Sequence, residues 1–192
     1  MAIHLLLGRP GTGRMHALVE KLKEESERGK KVLLLTTEIE IQELRERYIR
    51  EIKNETNDIR ILEYSDSLSL KAIKKVIEFH QPDVLGIDTL AFVQLKAGKY
   101  IEREMDFHEA YLALEAFVCD LGVDIVAGRT IPYDRDSQTD TLPTIFDVYN
   151  HERKSKTIVA TYRHQDEQGN NDIGIIDLKT GHTRQLRLKQ TT

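Results

Sequence analysis

The chain has 192 residues, of which 40% are hydrophobic and 31% are charged, a balance typical of an ordinary soluble globular protein. The net charge of −4 excludes an overall basic surface, so any nucleic-acid site must be a local patch. The single cysteine, Cys119, excludes an internal disulfide. The sequence contains no run of membrane-span length and no N-terminal targeting signal, so we expect a cytoplasmic protein.

The first half of the chain alternates between strand-like and helix-like segments. Continuous hydrophobic runs at residues 3–7 and 32–35 predict strands that are buried on both faces of a parallel sheet. Between them, apolar residues recur at helical spacing from Met15 to Leu22, and Gly29 ends that helix. The same patterns predict a helix over roughly 41–53, a short strand over 59–62 and a helix from residue 70 to near residue 80, before Pro82.

The second half begins in the same way and then changes character. The predicted elements are a strand over 84–87, a helix over 107–121, a strand over 123–127, a polar loop over 132–143, and strands over 157–162, 173–176 and 183–188. Hairpin-type turns separate the last three strands. We therefore predict an α/β fold with a mostly parallel central sheet and antiparallel C-terminal strands, formed by a single domain over residues 1–192.

A glycine-rich loop lies between the first strand and the first helix. It reads Gly8-Arg9-Pro10-Gly11-Thr12-Gly13-Arg14-Met15. The phosphate-loop pattern G-x-x-x-x-G-K-[ST], or Walker A, is met at both end glycines, but Arg14 replaces the lysine and Met15 replaces the hydroxyl residue. Backbone N–H groups in such a turn bind anions whatever the side chains are, whereas a methionine cannot ligate Mg²⁺. This degenerate loop therefore predicts nucleotide or phosphate binding more than it predicts hydrolysis.

Polar residues end three of the predicted strands. Glu38 follows the second strand, where a carboxylate would orient or activate an attacking water. Asp88 ends an apolar strand, as does the Walker B acid that holds Mg²⁺. The pair Arg129-Thr130 ends the next strand, where a polar side chain could sense a γ-phosphate. Because ligand chemistry gathers at the carboxyl ends of parallel strands, we expect these residues to converge on the loop.

Together, these segments resemble the RecA-like motor domain of DnaB-type replicative helicases. That family's loop commonly reads G-R-P-G-x-G-K-T, its S-L-E-M-s-x-x-q-L-x-x-R stretch is matched by residues 37–47, and its I-D-Y-L-Q-L segment is echoed by residues 86–93. The resemblance spans roughly residues 1–190, with the specific part in the first half. It implies a RecA-like P-loop three-layer sandwich, an ATP site at the loop, Mg²⁺ at Asp88, and Glu38 or Glu40 as the catalytic glutamate, with the spacing from the strand favouring Glu38.

The chain also departs from that family's pattern beyond Arg14 and Met15. Residues 128–132 replace the S-Q-L-N-R segment, so the glutamine sensor is missing. Near the C-terminus, Lys179 falls at the position of the family's arginine finger, and Asp177 replaces a lysine. Two hypotheses follow: a nucleotide-binding relative with weak or lost ATP hydrolysis that acts as an interaction protein, or an active DNA-dependent ATPase or helicase-like motor.

The resemblance also implies partners and cofactors. The expected cofactor is ATP or another nucleotide, with or without Mg²⁺, and complete loss of binding is the remaining alternative. The expected partners are a replicative helicase or another replication or recombination protein, and single-stranded DNA at a patch formed by Lys96, Lys99 and Arg103. That patch has an equally good interpretation as a solvated loop, because acidic residues interrupt it. With the inter-subunit residues altered, we expect a monomer or weak oligomer and no membrane contact.

Each site residue also has a purely structural interpretation. The loop could be an ordinary strand-to-helix turn, Asp88 could cap a strand end, and Glu38 could be an early helix residue favoured by the helix dipole. Arg14 could be an exposed first-turn residue of a site that no longer binds a ligand. These alternatives make different predictions about burial and contacts, which the structure can separate.

Overall fold

The computed structural model describes residues 1–9, 11–36, 59–64, 68–94, 104–131, 143–145, 148–150, 152–165 and 171–186. The helix predicted over 41–53 lies outside the described residues, as does nearly all of the loop predicted over 132–143. The described elements are β1 Ile3–Gly8, α1 Arg14–Glu27, β2 Val32–Thr36, β3 Ile59–Glu63, β4 Leu68–Ser69, α2 Leu70–His80, β5 Val84–Asp88, a 3₁₀-helix Leu90–Phe92, β6 Val93–Gln94, α3 Glu104–Leu121, β7 Asp124–Thr130, a 3₁₀-helix Glu152–Lys154, β8 Thr157–Gln165, β9 Asn171–Asp177 and β10 Thr183–Leu186.

Eight of these strands form one sheet in the order β10-β9-β8-β1-β7-β5-β2-β3. From β8 to β3 in that order, each strand is parallel to the next one. The strand β9 pairs antiparallel with both β8 and β10. The predicted mostly parallel sheet with antiparallel C-terminal strands is therefore confirmed. The short strands β4 and β6 form a separate parallel pair that the sequence patterns did not predict.

Helices cover both faces of the sheet, which gives three layers. Successive strand residues point to opposite faces, so each buried strand contributes to two cores. Leu6, Leu34 and Val126 pack with Leu18 and Leu22 of α1 in one core. The other core joins the intervening strand residues to α2 and α3 and includes Leu5, Leu35, Ile87, Ile73, Ile77, Leu114 and Val118. The continuous hydrophobic runs of the sequence thus correspond to strands buried from both sides.

The ends of the helices follow from local chemistry. Gly13, with φ of +83°, precedes α1, and Gly29, with φ of +81°, follows it. At the start of α2, the Ser69 hydroxyl accepts a hydrogen bond from the Ala72 N–H at 3.1 Å. Such a cap satisfies one of the N–H groups that the first helical turn leaves without a partner. None of the helices in the described ranges is long and apolar enough to cross a membrane.

A charged cluster at the end of α1 fastens this helix to the start of β7. Glu25 is 6% exposed and pairs with Lys21 at 3.2 Å and with Lys30 at 2.8 Å. Lys30 also contacts Asp124 at 3.1 Å. Burial raises the pKa of Glu25, but the hydrogen bonds from Lys30 and Lys21 outweigh it and lower the pKa from 4.5 to about 2. The cluster therefore stabilises the folded chain while Glu25 is ionised.

We expect this cluster to contribute stability that disappears in acid. Because the folded pKa of Glu25 lies below its unfolded value, the contribution is complete above about pH 4.5 and is lost as the pH falls toward 2. The Glu25→Gln substitution should lower the free energy of unfolding at neutral pH by roughly 2 kcal/mol, since Lys21 and Lys30 are partly exposed and solvent screens their charges in part. It should also flatten the pH dependence of urea unfolding between about pH 5 and pH 2. Glu24→Gln, at a more exposed neighbour, is the control, and an equal effect in both variants would contradict the assignment.

Candidate functional site

The sheet places four residues side by side at the carboxyl ends of its central strands. Gly8 of β1 lies opposite Thr130 of β7, and Asp88 of β5 lies opposite Thr36 of β2. Leu6 and Leu34 stand two positions before Gly8 and Thr36, so they lie on the same face of the sheet, and they contact α1. The loop after β1 and the side chains of Asp88, Thr130 and Thr36 are therefore on the same face of the sheet, at one end of it.

The loop is held by hydrogen bonds to its own backbone and to β8. The carbonyl of Arg9 accepts from both the N–H and the hydroxyl of Thr12, at 3.2 and 2.8 Å. The Thr12 hydroxyl lies 3.0 Å from that of Thr161 in β8. A Cβ atom on Gly8 would collide with the Thr161 hydroxyl, so this hydroxyl contact requires glycine at position 8. The close approach of Thr161 therefore explains why the first position of the motif is a glycine.

Gly13 turns the chain into α1 and leaves the start of the helix uncapped. Its φ of +83° lies in the left-handed region, and an added Cβ would overlap the side chain of Ile173 in β9. Glycine has no side chain with which to cap a helix, so the first N–H groups of α1 are presented at the loop. Together with the partial positive charge of the helix N-terminus, they form a potential anion site.

Arg163 brings a positive charge to the loop from β8. Its Nε donates to the Gly11 carbonyl at 3.3 Å, and an added Cβ on Gly11 would lie 3.0 Å from its Nη2. The side chain is exposed, and its charge lies beside the turn. No pattern in the sequence indicates this residue, because it is about 150 positions away from the loop and belongs to no recognisable motif.

Arg14 forms a buried ion pair with Asp88. Its Nε and Nη2 both lie 3.0 Å from Asp88 Oδ1, and its Nη1 donates to the Thr130 hydroxyl at 2.6 Å. The two side chains are 8% and 1% exposed. The interpretation of Arg14 as an exposed residue is therefore wrong. The guanidinium bonds to the end of the sheet with three of its nitrogen atoms.

Gly128 makes the space that the ion pair needs. A Cβ atom at this position would lie 2.5 Å from Asp88 Oδ1 and 3.2 Å from Arg14 Nε. A residue with any side chain would therefore push the pair apart or displace the strand. The sequence offered one signal for this, the glycine at the start of the segment that replaces the family's S-Q-L-N-R, but only the structure shows which atoms approach it.

The second altered Walker A position, residue 15, offers no ligand for a metal. Met15, where the pattern has Ser or Thr, is 7% exposed and belongs to the core under α1. Its thioether offers no oxygen ligand for Mg²⁺. The described part of the chain contains no group of three or more His, Cys, Asp or Glu residues that could hold a metal ion. The donor set at the expected magnesium position thus does not fit that ion.

The structure does not bring Arg129 to the loop. In β7, Gly128 and Thr130 face Arg14, so the intervening Arg129 points to the opposite face. There its Nε lies 2.7 Å from Glu152 Oε1, and its guanidinium lies 4.5 Å from the centre of the Tyr149 ring. Thr130, rather than Arg129, is the residue at the end of β7 that reaches the site.

Some of the predicted site residues belong to the described part of the chain, and others do not. Glu38, Glu40 and Pro10 lie outside the described residues, as do the proposed DNA contacts Lys96, Lys99 and Arg103. Lys179, at the position of the arginine finger, is described. Its ammonium donates to the Ser155 carbonyl of its own chain, while Asp177 accepts from the backbone N–H groups of residues 179 and 180.

Comparison with known proteins identifies the fold. No protein-family model and no curated protein matches this sequence. Among solved structures, the ATPase domain of a DnaB-family helicase superposes with a TM-score of 0.75 at 17% identity, covering 96% of this chain and 80% of that one. A KaiC-like protein from the hyperthermophilic archaeon Pyrococcus horikoshii superposes with a TM-score of 0.59 at 19% identity, covering 96% and 82%. Both likenesses concern the fold. The chain has the RecA-like fold of the DnaB-type ATPase domain.

Proposed function

We propose that this chain is a RecA-like nucleotide-binding domain with weak or absent ATP hydrolysis that acts in DNA replication or recombination. Its ligand is ATP or another phosphate-bearing molecule, which it binds at the loop of residues 8–15. Its partner is a replicative helicase of the DnaB type or another protein of the same machinery. The observation that carries the proposal is a glycine-rich loop between β1 and α1 in which Arg14 is bonded to Asp88.

Retention of binding is supported by the frame of the loop. Gly8 and Gly13 both sit where a side chain would collide with a neighbouring strand, and the N-terminus of α1 opens on the loop. Arg163 adds an exposed guanidinium beside Gly11. Backbone N–H groups, a helix N-terminus and an arginine are the groups that proteins commonly use to bind phosphate.

Weak hydrolysis is supported by the state of the catalytic groups. Phosphoryl transfer relies on a compact lysine charge and on Mg²⁺ to stabilise charge that develops on the transferred group. Here the positive charge at position 14 is paired with Asp88, and Met15 is buried among apolar side chains. Removing one such stabilising contact commonly lowers turnover by a factor of roughly 100 to 1,000. Losing two together predicts a very slow ATPase.

A role through protein contacts is supported by the fold and by the altered inter-subunit residues. RecA-like motors complete their active sites between subunits, which requires a head-to-tail interface. In this chain the ammonium of Lys179 bonds to its own Ser155 carbonyl, so its charge is engaged within the subunit. We therefore expect a monomer or weak oligomer that retains a RecA-type surface for a related ring. Single-stranded DNA is the second proposed ligand, at the unplaced patch of Lys96, Lys99 and Arg103.

Calorimetry with ATP, followed by a turnover assay with and without single-stranded DNA, tests this function. We expect measurable ATP binding and a turnover roughly 100-fold or more below the ~10 s⁻¹ typical of enzymes. Arg163→Ala should weaken ATP binding about 5- to 10-fold, because a charge-assisted contact of about 1 kcal/mol or more is lost. Arg184→Ala is the matched control, since Arg184 is also an exposed arginine of the antiparallel strands but contacts Glu24.

The same measurements separate the alternative function. Rapid turnover that single-stranded DNA stimulates would overturn the proposal and establish an active DNA-dependent motor. Equal loss of affinity in both arginine variants would show that Arg163 contributes only its general charge. No ATP binding in the wild-type chain would overturn nucleotide binding and leave an interaction protein built on this fold.

A further inference from the structure

The ion pair also bears on whether this site can use a divalent cation. In a phosphate-loop ATPase, Mg²⁺ is held by oxygen ligands near the Walker B carboxylate and the loop hydroxyl. In this chain, Asp88 Oδ1 accepts from two nitrogen atoms of Arg14, and position 15 offers a buried thioether. A magnesium ion approaching Asp88 would meet the guanidinium charge at close range and would lack one of its usual ligands.

The ion pair is built into the fold rather than formed by a chance side-chain position. Two nitrogens of Arg14 point at Asp88 and the third donates to Thr130, so both neighbouring strands hold the guanidinium. Gly128 leaves a space beneath the pair that any Cβ would fill. Both charged side chains are at least nine-tenths buried. A metal that took the place of Arg14 at Asp88 would leave the guanidinium charge in a poorly solvated place without this carboxylate, which opposes entry of the metal.

A second buried polar group at the same end of the sheet points to a ligand. Thr36 lies beside Asp88 in the parallel register and is fully buried. Its hydroxyl oxygen has no hydrogen-bond partner among the described residues. Buried hydroxyl groups are usually satisfied, and one that is not is expected to meet a ligand or water. A neutral hydroxyl can donate to a phosphate oxygen directly.

We propose that the Arg14–Asp88 pair closes this site to divalent cations, so that a phosphate ligand binds the loop without a metal. The ligand part of this inference rests on the proposed function. The charges of Arg14 and Asp88 cancel, and the two positive charges with which Mg²⁺ bridges the β- and γ-phosphates are missing. The site therefore has little means of favouring a triphosphate, and ATP and ADP bind with similar affinity.

Two titrations of the full chain test the inference. In calorimetry, ATP and ADP should each bind no more tightly in buffer with excess Mg²⁺ than in buffer with EDTA, because Mg²⁺ in solution binds the nucleotide phosphates and competes with a site that takes them without the metal. In electron paramagnetic resonance, Mn²⁺, used as a spectroscopic substitute for Mg²⁺, should remain free when the protein is added without nucleotide.

The double variant Arg14→Lys with Met15→Thr restores a compact charge and a hydroxyl ligand, and its ATP affinity should rise about tenfold or more with Mg²⁺. Arg184→Lys, a conservative change at an exposed arginine, should behave as the wild type.

The outcomes distinguish this inference from the function on which it rests. A loss of wild-type ATP affinity of about tenfold or more in EDTA would overturn the inference and leave the proposed nucleotide binding intact. If wild-type protein binds neither nucleotide, the proposed function and the ligand part of the inference both fail. The Mn²⁺ titration then decides whether the site is closed: stoichiometric binding of Mn²⁺ by the wild type overturns closure, and its absence supports it. These wild-type measurements decide the matter even if the double variant does not fold.

Discussion

Replacement of Glu152 by leucine is expected to lower the free energy of unfolding by about 3–5 kcal/mol, the range found when one partner of a buried ion pair is removed. Arg129 and Glu152 are 2% and 1% exposed, and their Nε and Oε1 atoms lie 2.7 Å apart. Arginine stays protonated inside proteins, so Glu152→Leu leaves the Arg129 charge buried without its carboxylate. The nearby ring of Tyr149 compensates only a part of it. Urea denaturation at neutral pH measures the loss.

A second substitution separates the buried charge from the loss of packing. The double variant Arg129→Met with Glu152→Leu should recover most of the stability, because two apolar side chains of similar volume replace both charges. The exposed pair of Lys74 and Glu78, 3.8 Å apart and each about half exposed, is the control. Lys74→Met should cost less than about 0.5 kcal/mol. A loss below about 1 kcal/mol in Glu152→Leu would show that the buried pair is not required for stability.

The Gly13→Ala substitution is expected to cost about 2–5 kcal/mol and to abolish detectable ATP binding. The left-handed backbone at position 13 costs an alanine about 1–2 kcal/mol. In addition, the new Cβ would overlap the side chain of Ile173, and such overpacking typically costs roughly a further 1–3 kcal/mol. Relief of the overlap requires the loop or β9 to move, which displaces the N–H groups proposed to bind phosphate. Urea denaturation and calorimetry with ATP measure the two effects.

Gly29→Ala is the matched control for this prediction. Gly29 follows α1 with nearly the same φ, +81°, and an added Cβ meets no atom within 4 Å. Its substitution should therefore cost only the backbone penalty of about 1–2 kcal/mol and leave ATP affinity unchanged. Equal losses of stability in the two variants would mean that the Ile173 side chain moves away from the new Cβ without lowering the free energy of unfolding. Unchanged ATP binding in Gly13→Ala would place the ligand elsewhere.

Much of the fold could be predicted from the sequence because its signals are local. Continuous hydrophobic runs mark strands that are covered on both faces, and the helical spacing from Met15 to Leu22 marks α1. The hairpin-type turns of the final third mark antiparallel strands. The order of strands in the sheet depends on contacts between distant residues, and so do the short strands β4 and β6.

The residues of the candidate site also fall into those that the sequence indicates and those that only the structure shows. The glycine-rich loop and the acid at the end of β5 were recognisable because each is a short motif after an apolar strand, and parallel pairing then places them at one end of the sheet. The contributions of Arg163 and Gly128 were not recognisable, and the sequence indicated the pair Arg129-Thr130 without showing which of the two reaches the loop. Arg163 and Thr130 each act on a residue more than 100 positions away, and Gly128 leaves space that only packing defines. The ion pair of Arg129 with Glu152 could not be predicted either, because Glu152 belongs to no motif.

Local patterns in the chain were enough to predict an α/β sheet and a glycine-rich turn between a strand and a helix, and to exclude a hydroxyl ligand for magnesium at Met15. The role of Arg14 depends instead on how the strands pack. An arginine at the start of a helix can point to solvent, to a phosphate or to a neighbouring carboxylate, and the sequence around Arg14 is compatible with all three. Because β5 and β7 lie side by side and Gly128 leaves room between them, the nearest stable position for its charge is on Asp88.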